Sequence, residues 1–141
     1  MRLISAGLTT AVVLFAAASA NAETLKFAAS LTGADEVPAN TTTGVGRVTA
    51  TLDTGTKLFS YSAIYSGLTG PAVAAHFHGP AQPGSNAPPT VPMTSLSSPI
   101  TGSTSLTDQQ IADLEAGKWY FNVHTAEHKG GEIRGQLHSG Q

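Results

Sequence analysis

The sequence predicts an antiparallel all-β domain, a Greek-key sandwich or barrel that carries one short helix. Apolar and polar residues alternate with period two through most of the chain after residue 22, Gly, Pro, Asn and Asp recur between the alternating runs, and a single stretch near residue 108 bears helix-boundary signals instead. Because successive side chains of a strand point to opposite faces, each run assigns its apolar members to one side of a sheet.

In the first strand, Leu25, Phe27, Ala29 and Leu31 share a face, and in the second Val48, Ala50 and Leu52 do, with a loop over Asp35 to Gly44 between them. Asp53-Thr54-Gly55-Thr56 reads as a hairpin turn into Lys57 to Ser66, where Phe59, Tyr61, Ala63 and Tyr65 align. Val73 to His78 is the next strand. From Pro80 to Thr104 six prolines stand among Gly, Ser, Thr and Asn, which predicts a long surface loop with at most a short edge strand near Val91 to Leu96. Such a loop either lines a site or is a plain excursion.

The helix is expected at Asp108 to Ala116. Thr107 suits the N-cap, Gln110 its capping-box partner, Leu106 and Ile111 the hydrophobic staple, and Gly117 the stop. Lys118 to Thr125 follows as a strand with Trp119, Phe121 and Val123 on one face and Tyr120, Asn122 and His124 on the other. Through Gly130-Gly131, which supply a bulge or positive φ, it turns into Glu132 to His138, with Ile133, Gly135 and Leu137 opposite Glu132, Arg134, Gln136 and His138. The expected core is Phe27, Leu31, Val48, Leu52, Phe59, Tyr61, Phe77, Trp119, Phe121, Val123 and Ile133.

Residues 1–22 read as a secretory signal peptide: Arg2, an apolar run over Leu8 to Ala18, and Ala20-Asn21-Ala22 as the small-residue cleavage site. Cleavage before Glu23 leaves residues 23–141 as a single domain, secreted or periplasmic, with no membrane span. The net charge of −2, or −3 once Arg2 is removed, includes no basic run and offers no footprint for nucleic acid or anionic lipid. With no cysteine, disulfide staples, thiolate ligands and a nucleophilic thiol are all excluded. No nucleophile elbow or comparable motif is present, so an enzyme is not expected.

The residues that carry chemistry are histidines. His76 and His78 point the same way from one strand, and His124 becomes a third ligand if its strand is a neighbour. Imidazole suits copper, zinc and nickel, whereas calcium would need an oxygen-rich cluster. A solvated or hydrogen-bonded polar cluster and a proton-transfer site are the other readings of these histidines. His128 and His138 stand apart in a loop and a tail. Glu36, Glu132 and Arg134 are candidate binding residues; an ion pair of Arg134 with Glu132 or Glu36 is the favoured role, ligand binding the other.

Leu31-Thr32-Gly33-Ala34-Asp35-Glu36-Val37-Pro38, Ala74-Ala75-His76-Phe77-His78-Gly79-Pro80, Leu106-Thr107-Asp108, Leu114-Glu115-Ala116-Gly117, Tyr120 to Thr125 and Gly130 to Gly135 together resemble the CHRD domain, named after chordin and also found in secreted bacterial proteins. The resemblance covers nearly all of the chain after residue 22. It implies an extracellular domain without an established general activity, supplies no catalytic residues to carry across, and for animal relatives implies growth-factor binding. The His-x-His spacing is also similar to the copper-binding pattern of Cu,Zn superoxide dismutase, but the cysteine pair, bridging histidine and zinc loop have no counterparts. Two non-enzymatic functions follow: an exported domain binding copper or zinc through His76, His78 and His124, or a structural or adhesive domain contacting extracellular protein or glycan without metal. The oligomeric state is left open.

Overall fold

The structure is a computed structural model that describes residues 21–140. All but the last two residues of the predicted signal peptide therefore lie outside the described residues. In chain order the elements are β1 (Thr24–Thr32), a 3-10 turn (Gly33–Asp35), β2 (Val45–Asp53), β3 (Leu58–Ser66), β4 (Ala72–His78), β5 (Pro89–Pro92), β6 (Ile100–Ser105), α1 (Asp108–Glu115), β7 (Tyr120–Thr125), β8 (Ile133–Gln136) and β9 (His138–Ser139). The strands form one sheet in the order β5-β4-β7-β8-β1-β2-β3-β6, with β9 added on β1. Every pairing is antiparallel. This is the all-β class expected, with its single short helix.

The sheet curls. β3 and β4 stand five places apart in it, about 24 Å if it were flat, yet Phe59 of β3 meets Phe77 of β4 with ring centroids 5.1 Å apart, as does Tyr61. Trp119 and Phe121 complete this aromatic centre, edge-on or tilted to their neighbours. Burying each such ring stabilises the fold by roughly 1.5–3 kcal/mol, and closing the sheet on itself lets one apolar face act as its own partner. Of the expected core residues all are buried except Tyr61, which is only partly covered.

The capping box forms as expected: Thr107 Oγ1 accepts from Gln110 N–H while Gln110 Oε1 accepts from Thr107 N–H. The helix ends at Glu115, and Gly117 with φ +71° takes the left-handed position after it. Residues 80–104 depart from the expected loop. They hold two edge strands: β5 beside β4, which overlaps the short edge strand expected near Val91 to Leu96, and β6 beside β3, which was not expected. Pro89 and Pro92 sit at the ends of an edge strand, where a missing N–H costs little, and β6 begins immediately after Pro99. Its sequence, Ile-Thr-Gly-Ser-Thr-Ser, has too few apolar residues to show alternation.

Candidate metal centre

The candidate site lies on the outer, polar face of the β4-β7-β8 part of the sheet. Register places Ala74 opposite His124, His76 opposite Asn122 and His78 opposite Tyr120, while Asn122 and Tyr120 face Arg134 and Gln136 across β8. Asn122 therefore sits at the centre of the lattice, with His76 directly beside it and His124 two residues along its own strand. This face was expected to be polar and is polar, but it is not wet: His78, Asn122, His124, Glu132 and Arg134 are all buried, and His76 is half-buried.

Two segments cover it. One is the stretch after the 3-10 turn, where Asn40 Nδ2 donates to Glu132 O and Thr42 Oγ1 to Glu132 Oε1. The other is the loop after β4, where Ser85 O and Asn86 Oδ1 accept from Arg134 and Ala87 O lies 2.8 Å from His78 Nδ1. Asn86 Nδ2 ties the two covers together through Val37 O. The proline-rich loop thus lines the site rather than wandering from it.

The histidines converge. His76 Nδ1 and His124 Nε2 are 3.2 Å apart, and one nitrogen from each of His76, His78 and His124 falls within 4.8 Å of the others. A shared metal with bonds of about 2.0–2.1 Å needs nitrogens no more than about 4 Å apart, so the widest spacing must close by under 1 Å. His76 is the least buried of the three. Burial, then the neighbouring imidazoles, lowers the pKa of His76. Burial likewise lowers His78 below the usual histidine value, the hydrogen bonds from its ring only partly opposing it. His76 and His78 are therefore neutral near pH 7, as metal ligands must be.

Tautomers follow from the partners. A backbone carbonyl only accepts, so His78 Nδ1–H donates to Ala87 O and His124 Nδ1–H donates to Lys129 O, 2.8 Å in each case. In the neutral ring this leaves both lone pairs on Nε2, aimed inward. A carbonyl that accepts from the far ring nitrogen is how proteins orient histidine ligands.

The three carboxylate and guanidinium candidates are not ligands of that centre. Glu132 is fully buried and accepts four hydrogen bonds, from the hydroxyls of Thr42, Thr69 and Thr125 and from Thr69 N–H. Burial alone would raise its pKa; those donors outweigh it and bring it down to about 2. Arg134 pairs with neither Glu132 nor Glu36; among the described residues the one ion pair is Lys57–Asp108. Its guanidinium instead lies 3.4 Å from the Tyr120 ring centroid and clamps the loop at Ser85 and Asn86, while His78 stacks parallel to Tyr120 at 4.7 Å. The expected ion pair is lost because planar partners, an aromatic face and two oxygens, already satisfy the guanidinium.

Glu36 is buried beside Asn122, and Oε1 has no hydrogen-bond partner. Desolvation raises its pKa to about 7, the charge of Arg134 and the nearby Asn122 amide only partly offsetting this. Its carboxyl fills the space where Gly131 would carry a Cβ, and Gly131 has φ +128°, so no other residue fits that position. His128 and His138 lie away from the cluster, as their loop and tail positions suggested.

Sequence reasoning did not single out Asn122, although its signal is present. Asparagine is disfavoured inside strands, and here it stands between Phe121 and Val123 on the same face as His124.

No helix of the described residues is long and apolar enough to cross a membrane. No curated protein and no solved structure matches the chain. The sequence model of the CHRD domain matches residues 27–137, a span that takes in every residue of the site just described. CHRD domains are in general binding domains rather than enzymes. The chain belongs to the CHRD domain family.

Proposed function

We propose that this CHRD domain is an exported, non-enzymatic metal-binding module that holds Cu(II), or less tightly Zn(II), through His76, His78 and His124. The observation that carries this reading is the fixed tautomer of two buried imidazoles: Ala87 O and Lys129 O take the Nδ1 protons and leave both Nε2 atoms facing Asn122 Oδ1, with His124 Nε2 3.2 Å from His76 Nδ1. A cluster built only for stability gains nothing from facing lone pairs, whereas a cation between them joins all three. Copper is favoured over zinc because nitrogen ligands bind it more strongly in the divalent series and no thiolate is present. The signal-like residues 1–22 support export, and with it a site in the periplasm or outside the cell.

Calorimetric titration of the untagged protein with Cu(II) should show one site, abolished in the His76→Ala, His78→Ala, His124→Ala variant and weakened below about pH 6. Binding should also raise the melting temperature. Absence of a specific site in the wild type, or undiminished binding by the triple variant, would sink the metal reading.

A second reading has one feature in its favour. A surface cleft of about 520 Å³, lined by Asp35, Arg47, Arg134, Gln136 and His138, could receive an acidic segment of an extracellular protein or a glycan. Under that reading binding to such a ligand is lost in Arg47→Ala and is indifferent to metal.

A further inference from the structure

Asn122 stands where a fourth ligand would. Its Oδ1 lies 2.9 Å from His124 Nε2 and 3.0 Å from His78 Nε2. With both Nδ1 atoms donating to backbone carbonyls, neither neutral ring has a second proton to give, so an acceptor faces two lone pairs at hydrogen-bond distance. Three electron-rich atoms this close are held together by a metal cation, by a proton on one of the rings, or relieved by turning the amide.

The spacings also describe a shape. In the order His76 Nδ1, His124 Nε2, Asn122 Oδ1, His78 Nε2, consecutive atoms are 3.2, 2.9 and 3.0 Å apart. Ligands at about 2.0–2.1 Å are about 2.9 Å apart at 90° and about 3.4 Å apart at the tetrahedral angle. Two of the three separations match the right angle, and a set of three nitrogens and one oxygen is one that Cu(II) takes in tetragonal sites.

Glu36 stands beside this amide. Asn122 Nδ2 and Glu36 Oε1 both border the notch over Gly131. Oε1 is buried without a hydrogen-bond partner, and the adjacent Asn122 amide carries a donor suited to it. In its ionised form the carboxyl only accepts, so it favours the orientation that presents Nδ2 to it and Oδ1 to the histidines.

Resting on the metal reading above, we propose that Asn122 Oδ1 is the fourth equatorial ligand of a tetragonal Cu(II) site, and that Glu36 is the positioning residue that turns this oxygen inward. Metal occupancy is thereby linked to the covering segment that carries Glu36, since losing the glutamate frees the amide to present Nδ2, which cannot coordinate.

The test uses Cu(II) and the untagged protein. Asn122→Ala should weaken Cu(II) binding about 10-fold or more and Asn122→Asp should preserve it, because a carboxylate supplies the same oxygen. Glu36→Leu should weaken binding about 10-fold while Glu36→Gln, whose own carbonyl can accept from Nδ2, stays within about threefold of wild type. A measurement on the wild type avoids variants that fail to fold: paramagnetic resonance in water enriched in oxygen-17 should show no broadening from an equatorial water. An equatorial water in the wild type, or unchanged affinity in a folded Asn122→Ala variant, would overturn this assignment while leaving the three-histidine site standing. Absence of Cu(II) binding by the wild type would overturn both.

Discussion

The two halves of this sheet carry the same inner face and opposite outer faces. On β2, β3 and β6 the outward residues Arg47, Thr49, Thr51, Ile64, Thr101 and Ser103 are exposed, and water satisfies their polar groups. On β4, β7 and β8 the outward residues His78, Asn122, His124 and Arg134 are buried under the segments around residues 36–42 and 80–88. Strand geometry alternates side chains between the two faces in both halves. What differs is whether chain crosses over the strand, and a covered polar face must find protein partners for every donor and acceptor. That requirement is why the covered half contains threonine-caged Glu132, loop-clamping Arg134 and tautomer-fixed histidines, while the open half is a lattice of interchangeable Thr and Ser.

The largest effect should come from the face the halves share. Phe121→Ala removes a fully buried ring that packs on Phe77 and should cost about 3–5 kcal/mol by denaturant titration. A loss under about 1 kcal/mol would mean that the curled sheet does not close on this aromatic centre.

Next comes a pH effect confined to the covered half. Glu36 has a folded pKa of about 7, above its unfolded value of 4.5, so the folded state holds the extra proton between those limits. Its contribution is fully present below about pH 4.5 and is lost as pH rises through 7, a change on the order of 3 kcal/mol. Subtracting the stability profile of Glu36→Gln from that of wild type should isolate this fall; a flat difference curve would show that Glu36 is not desolvated. Glu132 has the reverse sign. Its pKa of about 2 lies below 4.5, so its stabilisation is present above pH 4.5 and lost as pH falls through 2, and Glu132→Gln should blunt acid unfolding in that lower window.

Arg134→Met tests the clamp. It strips Ser85 O and Asn86 Oδ1 of their donors and should cost about 1–3 kcal/mol, with hydrogen exchange rising first in residues 80–88. The smallest effect belongs to the open half, where Thr49→Ala should change stability by less than about 0.5 kcal/mol. A loss comparable to that of Arg134→Met would erase the distinction between the two faces.

Much of the architecture was legible from residue order because it depends on local geometry. Period-two alternation assigned Phe27, Val48, Phe59, Phe77, Phe121 and Ile133 to one face, the turn at Asp53 to Thr56 joined β2 to β3, and Thr107 with Gln110 announced the helix start. The same alternation put His76 beside His78 and His124 beside Asn122. Strand β6 escaped notice because, of its inward residues Ile100, Gly102 and Thr104, only Ile100 is apolar and large, too little to show alternation in an edge strand whose outer face is in water.

Tertiary structure alone decided the rest. The neighbouring of β4 and β7, separated by more than forty residues of chain, set His76 opposite Asn122 and so converted two separate histidine runs into one cluster. The loop after β4 then supplied Ala87 O, and the turn after β7 supplied Lys129 O, fixing which ring nitrogens face the centre. Side-chain direction along a strand is a property of one backbone and can be read from its own residues; adjacency between strands, and the burial of a polar face beneath a crossing loop, depend on which distant surfaces find each other when the sheet closes.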